Sequence, residues 1–238
     1  MSELLFLPAL GQDEHAYDLL ALPGKASLYP GHGARPPAPA ELWEIADEIA
    51  QTISEPVDLV GVALGGIIGQ YLLIRHPQKI RSSVLANTPS GVGDPSMLVA
   101  RADEALANGV TSMSPALVDR WFRPETIASD GPGVEYIRDQ LGAISAEGFS
   151  QMQRAMSRTD TAALLPQVAA PVTLVQGGDD PVGPGSVARI HSLLPNSRLV
   201  EIPGSHMVHL DNPEGLREVI LDHLQWVEQQ DLESKEDD

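Results

Sequence analysis

One fourteen-residue stretch constrains the fold more than any other: Val57-Asp-Leu-Val-Gly-Val-Ala-Leu-Gly-Gly-Ile-Ile-Gly-Gln70. Its first half has the length and apolar content of a strand buried on both faces, and the second half continues as a helix with no loop between them. So abrupt a reversal needs small residues where strand and helix approach, and Gly61, Ala63 and Gly65 supply them. A strand that feeds straight into a helix is a unit of a parallel α/β sheet.

The rest of the chain repeats that rhythm. Leu4 to Pro8, Ala26 to Tyr29, Val57 to Ala63, Ser82 to Asn87, Val172 to Gly177 and Arg198 to Ile202 read as six strands. Pro39 to Ile53, Leu64 to Arg75 and Pro213 to Val227 carry apolar residues at helical spacing; the first two read as crossover helices and the third as a helix closing the last sheet edge. From Gly91 to Ala170 the strands stop, and Gly109, Pro115, Pro124, Gly131, Pro132 and Gly133 divide a helical stretch into short pieces. This predicts a core from 1–90 and 171–229 with a helical cap at 91–170. Six acids and one Lys between Glu228 and Asp238 make the end too polar to pack, so 230–238 is expected to be a disordered tail.

Composition excludes several classes of function. Against 33 acidic residues stand 15 basic ones, and a formal charge of −18 repels phosphate backbones and anionic lipid, so neither nucleic acid nor membrane is an expected partner. Cysteine is absent, which removes disulfides, thiolate metal sites and a thiol nucleophile. No apolar run reaches the roughly 20 residues that span a bilayer, and no basic, apolar leader opens the chain, so a cytoplasmic location is expected.

Three segments carry chemistry. Gly61-Val-Ala-Leu-Gly65 has the spacing of a nucleophile elbow, the tight turn that exposes a central Ser at the sheet's edge, but position 63 is Ala. A methyl group neither attacks a carbonyl nor passes on a proton. Asp180, just past the Val172 to Gly177 strand, is the candidate acid that orients an imidazole, with Asp179 as competitor. His206, in the loop before the last helix, is the candidate base; His206 and His209 lack a nearby third ligand, so no metal is expected. Elbow, acid and His follow the chain order of an α/β-hydrolase triad. Backbone N–H groups of Leu10, in the loop after the first strand, and Leu64 are the candidate oxyanion donors.

The chain resembles the α/β-hydrolase-fold family and is most similar within it to the 3-oxoadipate enol-lactonases. The likeness rests on Ala9-Leu-Gly-Gln-Asp, Gly31-His-Gly-Ala, the elbow, His76-Pro-Gln-Lys-Ile-Arg-Ser-Ser-Val-Leu-Ala-Asn-Thr, Asp119-Arg-Trp-Phe, Gly178-Asp-Asp-Pro-Val and His206 with the Pro-Glu that follows. It implies hydrolysis of a small ester or lactone through an acyl-enzyme, without a cofactor, by a Ser at position 63, His206 and Asp180. The chain departs from that pattern at Ala63 and at Pro8-Ala9, where the superfamily often has His-Gly.

Ala63 admits three readings. It is a deliberate, inactivating Ser→Ala substitution that traps substrate or product in an otherwise complete site; or His206 and Asp180 act without a nucleophile in an elimination, decarboxylation, cyclisation or cofactor-free oxygenation; or the pocket only binds a ligand. In each, the partner is a small ester, lactone or related carbonyl compound. Trp121, Phe122, Met113 and Met152 are candidate pocket residues, and Arg120, Arg123, Arg154 and Arg158 are cap cations able to offset the acidic surface. His32 is expected to support a turn, and His15, His191 and His223 to be exposed.

Overall fold

A computed structural model describes residues 2–236. Six strands, β1 (Leu4–Leu7), β2 (Lys25–Ala26), β3 (Val57–Val62), β4 (Ile80–Ala86), β5 (Val172–Gly177) and β6 (Ser197–Ile202), form one sheet in the order β2-β1-β3-β4-β5-β6. Every pairing is parallel, so all strands end at the same edge. From β1 the chain steps outward to β2, then crosses back to place β3 on the other side of β1. That reversal opens a crevice beyond the ends of β1 and β3, the position at which open α/β sheets take their ligands.

The helices are α1 (Leu42–Thr52), α2 (Leu64–Arg75), α3 (Ser96–Asn108), α4 (Val110–Trp121), α5 (Pro124–Ser129), α6 (Pro132–Ala143), α7 (Ala146–Ser157), α8 (Ser186–Leu193), α9 (Val208–Asp211) and α10 (Pro213–Glu236). Helix α2 packs on β1, β3 and β4 and is covered by α1, which explains why it is apolar on nearly every side. Helices α3 to α7 fall between β4 and β5. Their two chain ends are tied together by a Gly91–Asp160 bridge and by Thr161 N–H donating to Ser90 O at 2.7 Å. Within the insertion α3 packs on α7 and α4 on α6, and α6 also touches α9. Its apolar residues, among them Val118, Ile137 and Phe149, join the same continuous core as the sheet.

The structure differs from the sequence reading at several elements. β2 is a two-residue edge strand that begins one residue earlier than expected. Helix α8 starts directly after Pro181, Gly183, Pro184 and Gly185, whose turn chemistry masks it in sequence. Helix α10 does not close the sheet's outer edge but touches both β4 and β6. It also runs on through Glu236, where a disordered tail is expected, because Gln230 bonds to Asn196 at 3.2 Å and Asp231 pairs with Arg81 at 3.2 Å. Asp237 and Asp238 lie outside the described residues.

The tightest contact is at the crevice. A Cβ on Gly65 would stand 1.9 Å from the Leu7 carbonyl oxygen, so α2 reaches β1 only because position 65 has no side chain. Gly65→Ala is expected to destabilise the fold by roughly 3 kcal/mol or more, seen as a lowered urea midpoint. Gly142→Ala, where an added Cβ meets nothing within 4 Å, serves as the control and is expected to be neutral or stabilising.

Candidate active site

The turn between β3 and α2 is strained. Ala63 sits at φ 51° and ψ −112°, a region that a residue with a Cβ occupies at a cost of roughly 1–3 kcal/mol. Neighbours hold it there: Ala63 N–H donates to Ala86 O at 3.0 Å, and Thr88 Oγ1 donates to Ala63 O at 3.0 Å. Gly61 is equally constrained, since a Cβ there would lie 2.6 Å from Gly65 O. The strand-to-helix turn thus has the tight, positive-φ backbone expected of a nucleophile elbow, with a methyl group at its centre.

Asp180 is buried, whereas Asp179 is exposed. His206 Nδ1 lies 3.1 Å from both carboxylate oxygens of Asp180, and Asp180 Oδ1 also accepts the Val182 N–H at 2.8 Å. A carboxylate at that nitrogen keeps the proton on Nδ1 and leaves Nε2 as the basic nitrogen of an imidazole that lines the cavity described below.

Two side chains fix the loop that carries His206. Asn87, one residue past β4 and at φ 46°, donates from Nδ2 to Ser205 O at 2.8 Å and to His206 O at 2.9 Å, while its Oδ1 accepts the Gly177 N–H at 2.8 Å. One amide thus joins the ends of β4 and β5 to the His206 loop. Asp211 of α9, its side chain enclosed, accepts from Ser205 N–H at 2.7 Å and, from the insertion, from Arg123 Nε at 2.9 Å and from Thr126 Oγ1. Met207 N–H also donates to Trp121 O at 3.2 Å.

The loop after β1 is held as firmly. Gln12 Oε1 accepts the Ala9 N–H at 3.0 Å and lies 3.1 Å from His209 Nε2, and His32 Nε2 accepts the Gly11 N–H at 3.0 Å. These bonds frame Leu10 from both sides. Leu64 is the first residue of α2, so its N–H has no acceptor within the helix. His209 is enclosed beside Tyr17 and Gln12.

Leu10, Ala63, Leu64 and His206 all line one cavity of about 350 Å³ between the sheet edge and the inserted helices. Trp121 lines it too, but Phe122, Met113 and Met152 do not. Met152 and Gln153 are neighbours on α7, about 100° apart around the helix, and Gln153 takes the cavity side. Phe122 leaves α4 in extended backbone, and all three side chains belong to the continuous core. Sequence reasoning passed over Asn87, Arg101, Gln153, Met156 and Met207, which the fold brings to the cavity wall. A polar Asn-Thr pair directly after a buried strand was the one available signal.

Comparison with known proteins agrees with this fold. The alpha/beta hydrolase family matches residues 2–219. The chain belongs to the alpha/beta hydrolase family. As an alpha/beta hydrolase it is 26% identical to 3-oxoadipate enol-lactonase 2 of Acinetobacter baylyi, over 80% of this chain and 74% of that one. It is 28% identical to a pimeloyl-[acyl-carrier protein] methyl ester esterase of Neisseria meningitidis, over 91% of each. Among solved structures, a hydrolase from Pseudomonas aeruginosa PA01 superposes with a TM-score of 0.85 at 27% identity, covering 94% of this chain and 90% of that one. The enol-lactonase from Burkholderia xenovorans LB400 shares the fold, with a TM-score of 0.87 at 21% identity over 94% and 92% of the two chains. Among the described residues, no helix of this alpha/beta hydrolase is long and apolar enough to cross a membrane.

Burial gives the fold a distinct pH response. It pushes the pKa of His32 down to about 4, of His209 to about 3 and of His223, expected to be exposed but enclosed beside Thr173, to about 4. Well above 6.5, their ordinary value, all three are neutral folded or unfolded and add no pH dependence. Below it the unfolded chain gains protons that the fold refuses, so stability falls as the pH drops toward 4. Denaturant titrations between pH 7 and 4.5 are expected to show a slope approaching roughly 1.4 kcal/mol per pH unit for each histidine. Replacing His223 by Gln is expected to remove one such contribution.

Proposed function

We propose that the cavity is the active site of a hydrolase-type enzyme acting on a small carboxylic ester or lactone. In this reading Asp180 orients His206, the N–H groups of Leu10 and Leu64 stabilise the oxyanion, Ala63 stands at the nucleophile position and Trp121 contacts substrate. Residues 91–170 act as the cap over a core of 1–90 and 171–229. The observation that carries the proposal is the His206–Asp180 bond at the cavity wall, with a positive-φ elbow opening into the same cavity. The named activities of the relatives, an enol-lactonase and a methyl ester esterase, lend it support.

With Ser at position 63 the steps balance without a cofactor. His206 Nε2 takes the hydroxyl proton as Oγ attacks the carbonyl carbon, and the oxyanion collects the two N–H bonds. The C–O bond to the leaving alkoxide then breaks as the imidazolium returns that proton, and water releases the acyl group by the same route. Ala63→Ser is therefore expected to raise hydrolysis of p-nitrophenyl acetate or a small lactone by roughly a thousandfold or more. Adding Asp180→Asn or His206→Ala in that background is expected to cancel nearly all of the gain. A variant no more active than the parent excludes the proposal.

A second reading concerns the chain as it stands, and it is supported by the intact dyad facing a methyl. His206 serves as a general base on water or on an acidic C–H or O–H of the bound carbonyl compound, and the developing enolate or oxyanion takes the Leu10 and Leu64 N–H bonds. Such turnover is expected to vanish in His206→Ala, as followed by mass spectrometry of a carbonyl substrate series. Turnover retained in His206→Ala excludes this reading.

A further inference from the structure

The two edges of the sheet are finished differently. At one edge stands β2, two residues long, with the Lys25 ammonium paired to Glu3 at 2.7 Å. A short strand that bears a lysine is a poor template for another strand. At the other edge stands β6, six residues in unbroken register with β5, and Ser197-Arg-Leu-Val-Glu-Ile202 contains neither proline nor lysine. Helix α8 meets one of its faces, where His191 Nδ1 lies 2.8 Å from Ser197 Oγ. Helix α10 meets the other, where the Arg198 guanidinium lies 4.3 Å from the Trp226 ring and pairs with Asp222 at 2.9 Å. The rim between them is open: Leu199 is 41% exposed, and Glu201 is exposed as well.

The pairing capacity left on β6 follows from its register. Val172 N–H donates to Asn196 O at 3.0 Å, and Gly178 N–H donates to Ile202 O at 2.9 Å. Along a strand, successive residues turn their N–H and C=O groups to opposite sides, so Asn196, Arg198, Val200 and Ile202 bond toward β5. Ser197, Leu199 and Glu201 turn theirs outward, and among the described residues these outward groups have no hydrogen-bond partner. A second β6 laid antiparallel about a two-fold axis at Leu199 matches all three: Leu199 faces the partner's Leu199, and Ser197 faces the partner's Glu201. Each facing pair exchanges two N–H···O bonds. Other two-fold registers leave an outward residue unmatched, and the one centred on Glu201 sets carboxylate against carboxylate. Asp222 already balances Arg198, so Glu201 is the charge to be placed, and it comes to lie opposite a hydroxyl.

We propose that β6 is a docking edge for a second copy of this chain, which joins antiparallel through Ser197, Leu199 and Glu201 and continues the sheet across both subunits. The occupant is this chain because the segment is complementary to itself, and because β2 is too short to receive β6 head to tail. A contact of one strand per subunit is at the small end of specific interfaces, so the dimer is of micromolar strength. The charge of −18 on each copy opposes association, and salt screens that repulsion. No β6 residue lines the cavity, so the dimer stands or falls independently of the hydrolase reading.

Sedimentation equilibrium of the full chain between about 5 and about 500 µM tests it. A monomer–dimer equilibrium is expected, with the dimer at twice 25.4 kDa and a dissociation constant that falls severalfold as salt rises. Leu199→Lys sets two ammonium groups together on the axis and is expected to raise that constant roughly tenfold or more. The chain has no cysteine, so Leu199→Cys carries a single thiol. At the Cα separation of about 5.5 Å of a hydrogen-bonded antiparallel pair, mild oxidation is expected to link two subunits through it. Leu106→Cys, at an exposed position on α3, is the control and is expected to stay unlinked. Far-UV circular dichroism establishes that the variants fold. A monomer at every concentration, a dimer that Leu199→Lys leaves unchanged, or linkage no faster at position 199 than at position 106 overturns the inference.

Discussion

The contact on which the site depends is the approach of α2 to β1. Gly65 lies against the Leu7 carbonyl at a distance that no other residue tolerates, and Gly61 lies against Gly65 in the same way. Because the helix starts there, directly off β3, the residue between strand and helix has no ordinary conformation available and adopts φ 51°. The strain at Ala63 is local. The burial of α2 between the sheet and α1 offsets it many times over, since nine of its twelve residues are buried. A backbone so over-determined keeps its shape whatever small side chain occupies position 63.

The remaining parts reach the crevice by a different logic. Strands that end at one edge deliver their loops to one place, but loops need tethers to hold a geometry. Here the tethers are buried amides and acids rather than apolar packing. Asn87 stitches β4, β5 and the His206 loop; Gln12 and His32 clamp the turn around Leu10; Asp211 carries the His206 loop to the inserted helices. Each is enclosed and each bond has a defined partner, so the groups act as fixed struts. The insertion is accordingly part of the framework of the site as well as its wall.

The legibility of this architecture in sequence follows from how local each signal is. Strands β3, β4 and β5 are rich in buried apolar residues because both their faces are covered, and the helix after β3 is marked by its glycines. Positions 63 and 180 stand out because each lies just past such a strand, and 206 because it lies in the loop between β6 and the last helices. Helix α8 was hidden behind a Pro-Gly cluster, and the persistence of α10 depended on Asn196 and Arg81, far away in the chain. The cavity wall was the least legible part. Met113, Met152 and Phe122 look like pocket residues by type, but on a short helix a rotation of one residue exchanges core for cavity, as it does for Met152 and Gln153. Asn87 and Arg101 reach that wall only once distant segments meet.

The backbone of the elbow is made without help from the side chain it displays, and this bears on the history open to the gene. Alanine codons (GCN) and one block of serine codons (TCN) differ at a single base. A lone transversion at codon 63 would therefore install a hydroxyl on a turn already shaped for it, and the reverse change would remove one while leaving every strut in place. Gain and loss of a nucleophile in this lineage are separated by one heritable step and no refolding.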